Sequence, residues 1–357
     1  MLHNKKKNIL SQTKNELIKH LEELGFKRFQ AIQIWQWIYG KGHTTFHNMS
    51  NVSKVNINIL EHNFLFETLT VNNLKKSFDG TLKYLVRLVD NNEVESVYIP
   101  DLSRNTLCVS SQVGCTLSCK FCHTGTQTLV RNLEPYEIVA QILLAKNLIA
   151  DWDKASPILS NIVFMGMGEP FFNYENVAKA LEIICDQDGL AFSKRRITIS
   201  TSGLVPEILR CSKELKTNLA ISLHAPNDNL RTQIMAINKK YPLDQLLTAC
   251  KVYNQENPQQ KITFEYVMLK DFNDDISHAL ELVKLINKYN VNCKINLIPF
   301  NPFAGSGFVN SSAEKIAVFR DCLKKNNLIA TIRKTRGDDV MAACGQLKSS
   351  SMRVKKK

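Results

Sequence analysis

No uncharged apolar run in this 357-residue chain reaches the ~20 residues that a membrane-spanning helix needs. The basic start, MLHNKKKNILSQTKNE, has no apolar segment behind it, so no secretory leader is expected either. Both absences point to a cytoplasmic protein. The ten cysteines are too few and too irregularly spaced for a secreted disulfide scaffold and are expected to be reduced thiols. Acid is in short supply: 33 Asp and Glu stand against 46 Lys and Arg, a net charge of +13. A Gly-x-Ser-x-Gly elbow is missing and no acid partner is evident, so Ser222 and His224 carry no hydrolase reading.

What is present is an ordinary globular composition, 44% apolar and 22% charged. The length suggests two or so domains, because single cores stop growing near ~250–300 residues. The basic excess gathers at the ends: residues 346–357 hold five Lys or Arg and no acid, and residues 1–100 hold 13 against nine. That distribution suits a polyanion, RNA foremost, although solubility alone would also account for it.

Apolar residues at helical spacing (Leu17, Leu21, Leu24, then Ala31, Ile34, Trp35, Ile38) predict a helical pair, with Trp35 in the core, and a third helix follows near 50–62. Turns at Asp79-Gly80 and Asn91-Asn92 then punctuate alternating segments, which predict a β-meander up to Pro100. Residues 1–100 are thus expected to form an accessory, RNA-binding region. From 101 to 345 the pattern is strand then helix: strands at 106–111, 161–166, 196–200, 219–223, 262–268, 294–300 and finally 328–334, helices near 134–149, 174–186, 204–216, 243–255, 274–289 and 312–326. Six such units predict an α/β fold, a partial (β/α)6 barrel of TIM type, with residues 346–357 as a basic tail. An open doubly wound sheet fits the same pattern; distinctive residues at the ends of many strands favour the barrel.

The chemistry-bearing stretch is VGCTLSCKFCHTG, with Cys115, Cys119 and Cys122 spaced Cys-x3-Cys-x2-Cys. Three thiolates are one short of a closed zinc site or of an ordinary ferredoxin cluster, but they can hold a 4Fe–4S cubane with one open iron. Against this stand a Cys3His zinc site completed by His123, and a cluster serving electron transfer only. The strand ends add polar or glycine-rich groups: GMGEP with Gly168, Glu169 and Pro170, STSG from Ser200, SLH from Ser222 through Leu223 to His224, and FNPFAGSG from Phe300 with Asn301. Glu169 suits an ammonium and Asn301 a base or ribose edge, so the set describes a pocket for a ligand with amino-acid and nucleoside parts. Cys185, Cys211, Cys250, Cys293 and Cys322 read as small core residues, and by spacing alone Cys108 does too; Cys344 follows an Arg- and Asp-rich loop and is expected to be mobile.

The three-cysteine spacing resembles the signature of radical S-adenosylmethionine (SAM) enzymes. With GMGEP, ITISTSG, ISLHAPND, IPFNP and RKTRGDDVMAACGQL, in that order over residues 95–347, the chain resembles the RlmN/Cfr family of radical-SAM RNA adenine methyltransferases. The resemblance implies one 4Fe–4S cluster on Cys115, Cys119 and Cys122, and SAM contacts at Gly168, Glu169, Pro170, Ser200, Ser222, Leu223, His224 and Asn301. It implies methylation of adenine C2 in 23S ribosomal RNA and in tRNA; a related branch methylates C8, and the core motifs barely separate the two. Two SAM molecules serve each turnover: one methylates Cys344, and the other yields a radical that activates that methyl group for attack on C2. The adduct on Cys344 is then resolved by Cys108 with a disulfide, and Glu95 takes the C2 proton. A flavodoxin or ferredoxin as electron donor and a monomeric enzyme complete the expectation. A non-enzymatic, zinc-bearing RNA-binding module is the more distant alternative.

Overall fold

The computed structural model of the chain describes residues 6–351. The basic start at residues 1–5 and most of the basic tail, residues 352–357, lie outside the described residues. Strand β1 (Lys7–Asn8) leads into helix α1 (Lys14–Glu23), opened by a reciprocal cap in which Thr13 Oγ1 accepts from Glu16 N and Glu16 Oε2 accepts from Thr13 N. Helix α2 (Arg28–Trp35) continues through a wider π turn to Gly40, and α3 (Lys54–Asn63) runs into β2 (Phe64–Leu65), which pairs with β1. Trp35 is fully buried, as its place on the apolar stripe predicts. Its Nε1 donates to Asp186 Oδ1 at 2.9 Å, and Lys14 meets Asp186 and Asp188 at 2.7 and 2.8 Å, so the helical region is docked on the barrel.

The meander follows as β3 (Thr70–Lys76), β4 (Leu82–Arg87) and β5 (Glu93–Ile99), all antiparallel. Then come β6 (Thr106–Cys108), the small hairpin β7 (Gln112–Val113) and β8 (Arg131–Asn132), α4 (Pro135–Leu148), β9 (Asn161–Phe164), α5 (Tyr174–Cys185), β10 (Ile197–Thr201), α6 (Val205–Glu214) and β11 (Asn218–Ser222). The chain continues through α7 (Asp228–Ile234), α8 (Leu243–Glu256), β12 (Ile262–Met268), α9 (Ile276–Tyr289), β13 (Cys293–Pro299), α10 (Ala313–Lys325) and β14 (Ala330–Ile332).

One ten-stranded sheet runs in the order β14-β13-β12-β11-β10-β9-β6-β5-β4-β3. From β6 to β14 every pairing is parallel and follows chain order. A doubly wound sheet reverses its strand order at a switch point; this one never does, so the barrel reading holds and the open alternative falls. The meander is not set apart from it. β5 pairs antiparallel with β6, so one sheet crosses the expected boundary at residue 100. Along β12, Phe264, Tyr266 and Met268 are fully buried, while Glu265 and Val267 face the barrel interior. That interior is therefore partly polar and open at its carboxyl end. Among the described residues no helix is long and apolar enough to cross a membrane.

Candidate active site

The three cysteines lie on the loop between β7 and β8. Gly114 starts it at φ +78°, and a Cβ there would stand 2.3 Å from Thr128 O, so only glycine fits. Cys115 N donates to Gln127 O, Cys122 N to Cys119 O at 3.2 Å and Gly125 N to Cys122 O at 3.0 Å, which winds the loop inward. Cys115, Cys119 and Cys122 all line one cavity, whereas Thr116, Ser118 and Lys120 between them face solvent. Burial pushes all three thiols up, Cys115 to about 12. Only a strongly positive centre would keep them as thiolates there, and three unpaired thiols facing one space suit a cluster with an open iron.

The cavity and its open mouth together span about 920 Å³, with polar and apolar groups on the same wall. Gly168, Glu169, Ser200, Ser222, His224, Asn301 and Cys344 share its wall with the cysteines. Pro170 and Leu223 do not reach it: Pro170 opens a buried 3-10 turn behind Glu169, and Leu223 is fully packed in the core. Gly168, at φ +97°, lets the chain pass Gln112, whose Cβ would lie 2.4 Å from an added methyl. Glu169 is fixed by three donors: Ser202 N at 2.8 Å and Oγ at 2.7 Å to one oxygen, Phe171 N at 3.1 Å to the other. Burial nevertheless raises its pKa.

His224 adopts a left-handed backbone, φ +58°, and is 3% exposed. Its Nδ1 accepts the Val267 N–H at 3.0 Å, which places the ring proton on Nε2. Burial, and then Arg231, lower its pKa to about 3, so it is a neutral donor at ordinary pH.

Residues 342–351 form a strap across the mouth. His123 N donates to Gly345 O at 2.6 Å, Asn301 Nδ2 to Cys344 O at 3.1 Å, and Gln127 Nε2 to Ser351 O at 2.8 Å. Cys344, expected to be mobile, is thus tied at its carbonyl. Cys344 also lines a second, adjoining cavity, whose wall carries Cys108. The Cys108–Cys344 disulfide is not formed here; both are free thiols, and burial pushes Cys108 up to about 12. Glu95 lines neither cavity. It is buried rather than an exposed strand carboxylate: Lys83 Nζ lies 2.9 Å from Oε1, and the strap's Lys348 N donates to Oε2 at 2.9 Å.

The zinc alternative meets an obstacle at His123. Its ring stacks on Phe303, centroids 4.7 Å apart, and its Nδ1 lies 3.3 Å from Gln346 O. Among the described residues no three Cys, His, Asp or Glu side chains converge as a single metal ion would need. Sequence reasoning overlooked Arg333, which lines both cavities beside Met165 Sδ, and Glu265, which faces the first and accepts from Asn296 Nδ2 at 2.7 Å. The RKTRGDD stretch held the arginine in plain view; the parity of β12 would have turned Glu265 inward.

A three-cysteine loop facing a ligand-sized cavity at the carboxyl end of an open parallel barrel defines a radical-SAM protein, a class with a 4Fe–4S cluster and SAM. The radical SAM superfamily model matches residues 109–283, and that of the ribosomal RNA large subunit methyltransferase N-terminal domain matches 7–64. The chain is 49% identical to the dual-specificity RNA methyltransferase RlmN of Rhodospirillum rubrum, over 97% of this chain and 81% of the relative. It is 46% identical to that of Gluconobacter oxydans, over 98% and 87%. A crystal structure of a radical SAM methyltransferase from Sphaerobacter thermophilus superposes with a TM-score of 0.90 at 40% identity, covering 96% of this chain and 99% of that one. The chain belongs to the RlmN family.

Proposed function

We propose that this protein methylates C2 of one adenine in 23S ribosomal RNA and one in tRNA, with Cys344 as methyl carrier. The observation that carries the reading is the position of Cys344. It stands on a wall shared by two cavities, one lined by the three loop cysteines and the other by Cys108. The relatives' names, dual-specificity RNA methyltransferases, support RNA as the substrate.

In this reading Cys115, Cys119 and Cys122 hold the 4Fe–4S cluster, which when bound supplies one electron to SAM. Glu169 accepts the SAM ammonium, His224 Nε2–H and the Ser200 and Ser222 hydroxyls meet its polar edges, and Asn301 offers its free amide oxygen. C2 of adenine lies between two ring nitrogens and is electron-poor, so it cannot attack a methyl cation donor directly. Cys344 would therefore take the methyl first; after the radical that SAM supplies has removed one hydrogen from it, the carbon would bond to C2 as the C2 proton and one electron leave. Cys108 would then attack the Cys344 sulfur, breaking its bond to that carbon, which takes the electron pair and a proton to become the product methyl as the disulfide forms. Glu95, held between Lys83 and the strap, is the acceptor for the C2 proton, and the strap shifts for it to face the base. The adenine comes through the second cavity, where Arg104 and Lys334 offer exposed charge to phosphates. A flavodoxin or ferredoxin meets the solvent face of the loop at Thr116, Ser118 and Lys120. The enzyme works as a cytoplasmic monomer.

The test is RNA from cells lacking the protein, digested to nucleosides and compared by mass spectrometry with 2-methyl and 8-methyladenosine standards. Loss of 2-methyladenosine from ribosomal RNA and tRNA, measured separately, is expected. Loss of the 8-methyl product instead, or of neither, overturns the assignment.

A further inference from the structure

Arg231, on α7, is 0% exposed, yet every group it donates to is neutral. Its guanidinium reaches Ser202 O at 2.7 Å, Ser222 O at 2.9 Å, Leu223 O at 3.1 Å and Asn238 Oδ1 at 2.7 Å. Asp228, one turn earlier, spends its carboxylate on Asn238 Nδ2 at 2.9 Å and on Leu243 N at 2.8 Å. Asp228 thus makes no hydrogen bond to the guanidinium, and the Asn238 amide stands between the two. A buried guanidinium without a carboxylate is a costly arrangement, and folds retain one only where some other negative charge faces it.

The surroundings supply a candidate for that charge. The carbonyls that Arg231 grips sit at the ends of β10 and β11, the strands that bring Ser200, Ser222 and His224 to the cavity. Lys120 N, next to Cys119, donates to Ile234 O at 3.1 Å, which binds the cysteine loop to the same helix. Burial lowers the Arg231 pKa to about 10, while Cys119 first, then Asp228 and Cys250, favour its charged form, and Arg231 in turn favours the thiolate of Cys119. A cubane held by three thiolates carries net negative charge and gains more on reduction.

We propose that Arg231 is a positioning residue with a redox role: its buried, carboxylate-free guanidinium is the counter-charge of the cluster and raises its reduction potential, while its fork fixes the strand ends that frame SAM. The inference rests on the cluster being held at Cys115, Cys119 and Cys122. A cation close to a site that gains an electron favours the reduced state, and the full burial of the guanidinium leaves little water to screen it.

The experiment is an anaerobic redox titration of the reconstituted protein, followed by electron paramagnetic resonance without SAM. It compares the unsubstituted chain with Arg231→Gln, Arg231→Lys and the exchange pair Asp228→Asn with Asn238→Asp. The exchange keeps the net charge and the arginine but moves a carboxylate onto the guanidinium. Arg231→Gln and the exchange pair are expected to lower the midpoint by at least 59 mV, a tenfold loss in the one-electron equilibrium. Arg231→Lys is expected to keep most of the potential. Iron-loaded variants with unchanged midpoints overturn the proposal, as does Arg231→Lys shifting as far as Arg231→Gln. Should Arg231→Gln fail to fold, an unchanged midpoint in the exchange pair overturns it alone. If the unsubstituted protein takes up no 4Fe–4S cluster, the cluster assignment fails first, and the absent signal in every sample distinguishes that outcome.

Discussion

Replacing Lys83 by Met tests whether the meander strands β4 and β5 are held together by a buried ion pair on which the strap's Lys348 N–H also closes. Lys83 Nζ and Glu95 Oε1 are 2.9 Å apart, with side chains 10% and 9% exposed, so water screens the pair little. Lys83→Met leaves the Glu95 carboxylate with the Lys348 N–H as its one remaining donor, an uncompensated buried charge that costs about 3–5 kcal/mol. Glu95→Gln leaves the ammonium with Met341 O at 3.1 Å and an amide oxygen, a smaller loss of about 2–3 kcal/mol. The double variant removes both charges while the introduced amide oxygen still accepts from Lys348 N, and is expected within about 1 kcal/mol of the parent. The coupling from a double-mutant cycle, read from urea midpoints by circular dichroism, should therefore be at least about 4 kcal/mol. Single effects that add to within about 0.5 kcal/mol would show that the pair behaves as a solvated one, and the reasoning would be wrong.

Alanine at Cys115, Cys119 or Cys122 should abolish the brown cluster and its iron content, because two thiolates cannot hold a cubane; a variant retaining full iron would sink the ligand assignment. Purified Cys108→Ala should carry a nuclease-resistant nucleotide mass on the Cys344 peptide and Cys344→Ala none; normal turnover by Cys108→Ala would refute its resolving role. His224, whose pKa falls from 6.5 to about 3 on burial, binds its proton more readily in the unfolded chain, so stability is full above pH 6.5 and is lost as pH falls toward 3. The loss is about 1.4 kcal/mol per unit over that window. His224→Asn keeps an acceptor for Val267 N–H and should flatten the slope between pH 6 and 4; an unchanged slope counts against a neutral, buried histidine. Deleting residues 352–357 removes four positive charges and should flatten the salt dependence of RNA affinity by up to about 3 in log–log slope; an identical slope would make the tail a bystander.

Periodic features were legible in the sequence and singular ones were not. The strand expected at 262–268 is β12 residue for residue, and the helix expected at 243–255 ends one residue later. Both rest on apolar spacing repeated over two or more turns or pleats. The hairpin of β7 with β8 has two residues a side, too few for a period, and its partners stand 18 or more positions apart. Arg231 reads as a surface charge on a short polar helix; only the fold shows three carbonyls converging on it. Glu95 meets Lys348 across 253 positions, a contact no local pattern announces. Pro170 and Leu223 went the other way: they neighbour cavity residues in the chain but are buried outside both cavities.

The strap also bears on how the protein is made. The cysteine loop and the segment that closes over it are separated by 223 positions, as between Thr124 and Leu347. A ribosome adding ~5–20 residues per second leaves an interval of roughly 10–45 s between the two. During that interval the three thiols emerge, and the barrel strands that wall them follow one by one, with nothing yet across the mouth. Iron and sulfide therefore have their widest access while the chain is still being synthesised, and delivery to finished protein has to work against the latch at His123, Gln127 and Glu95.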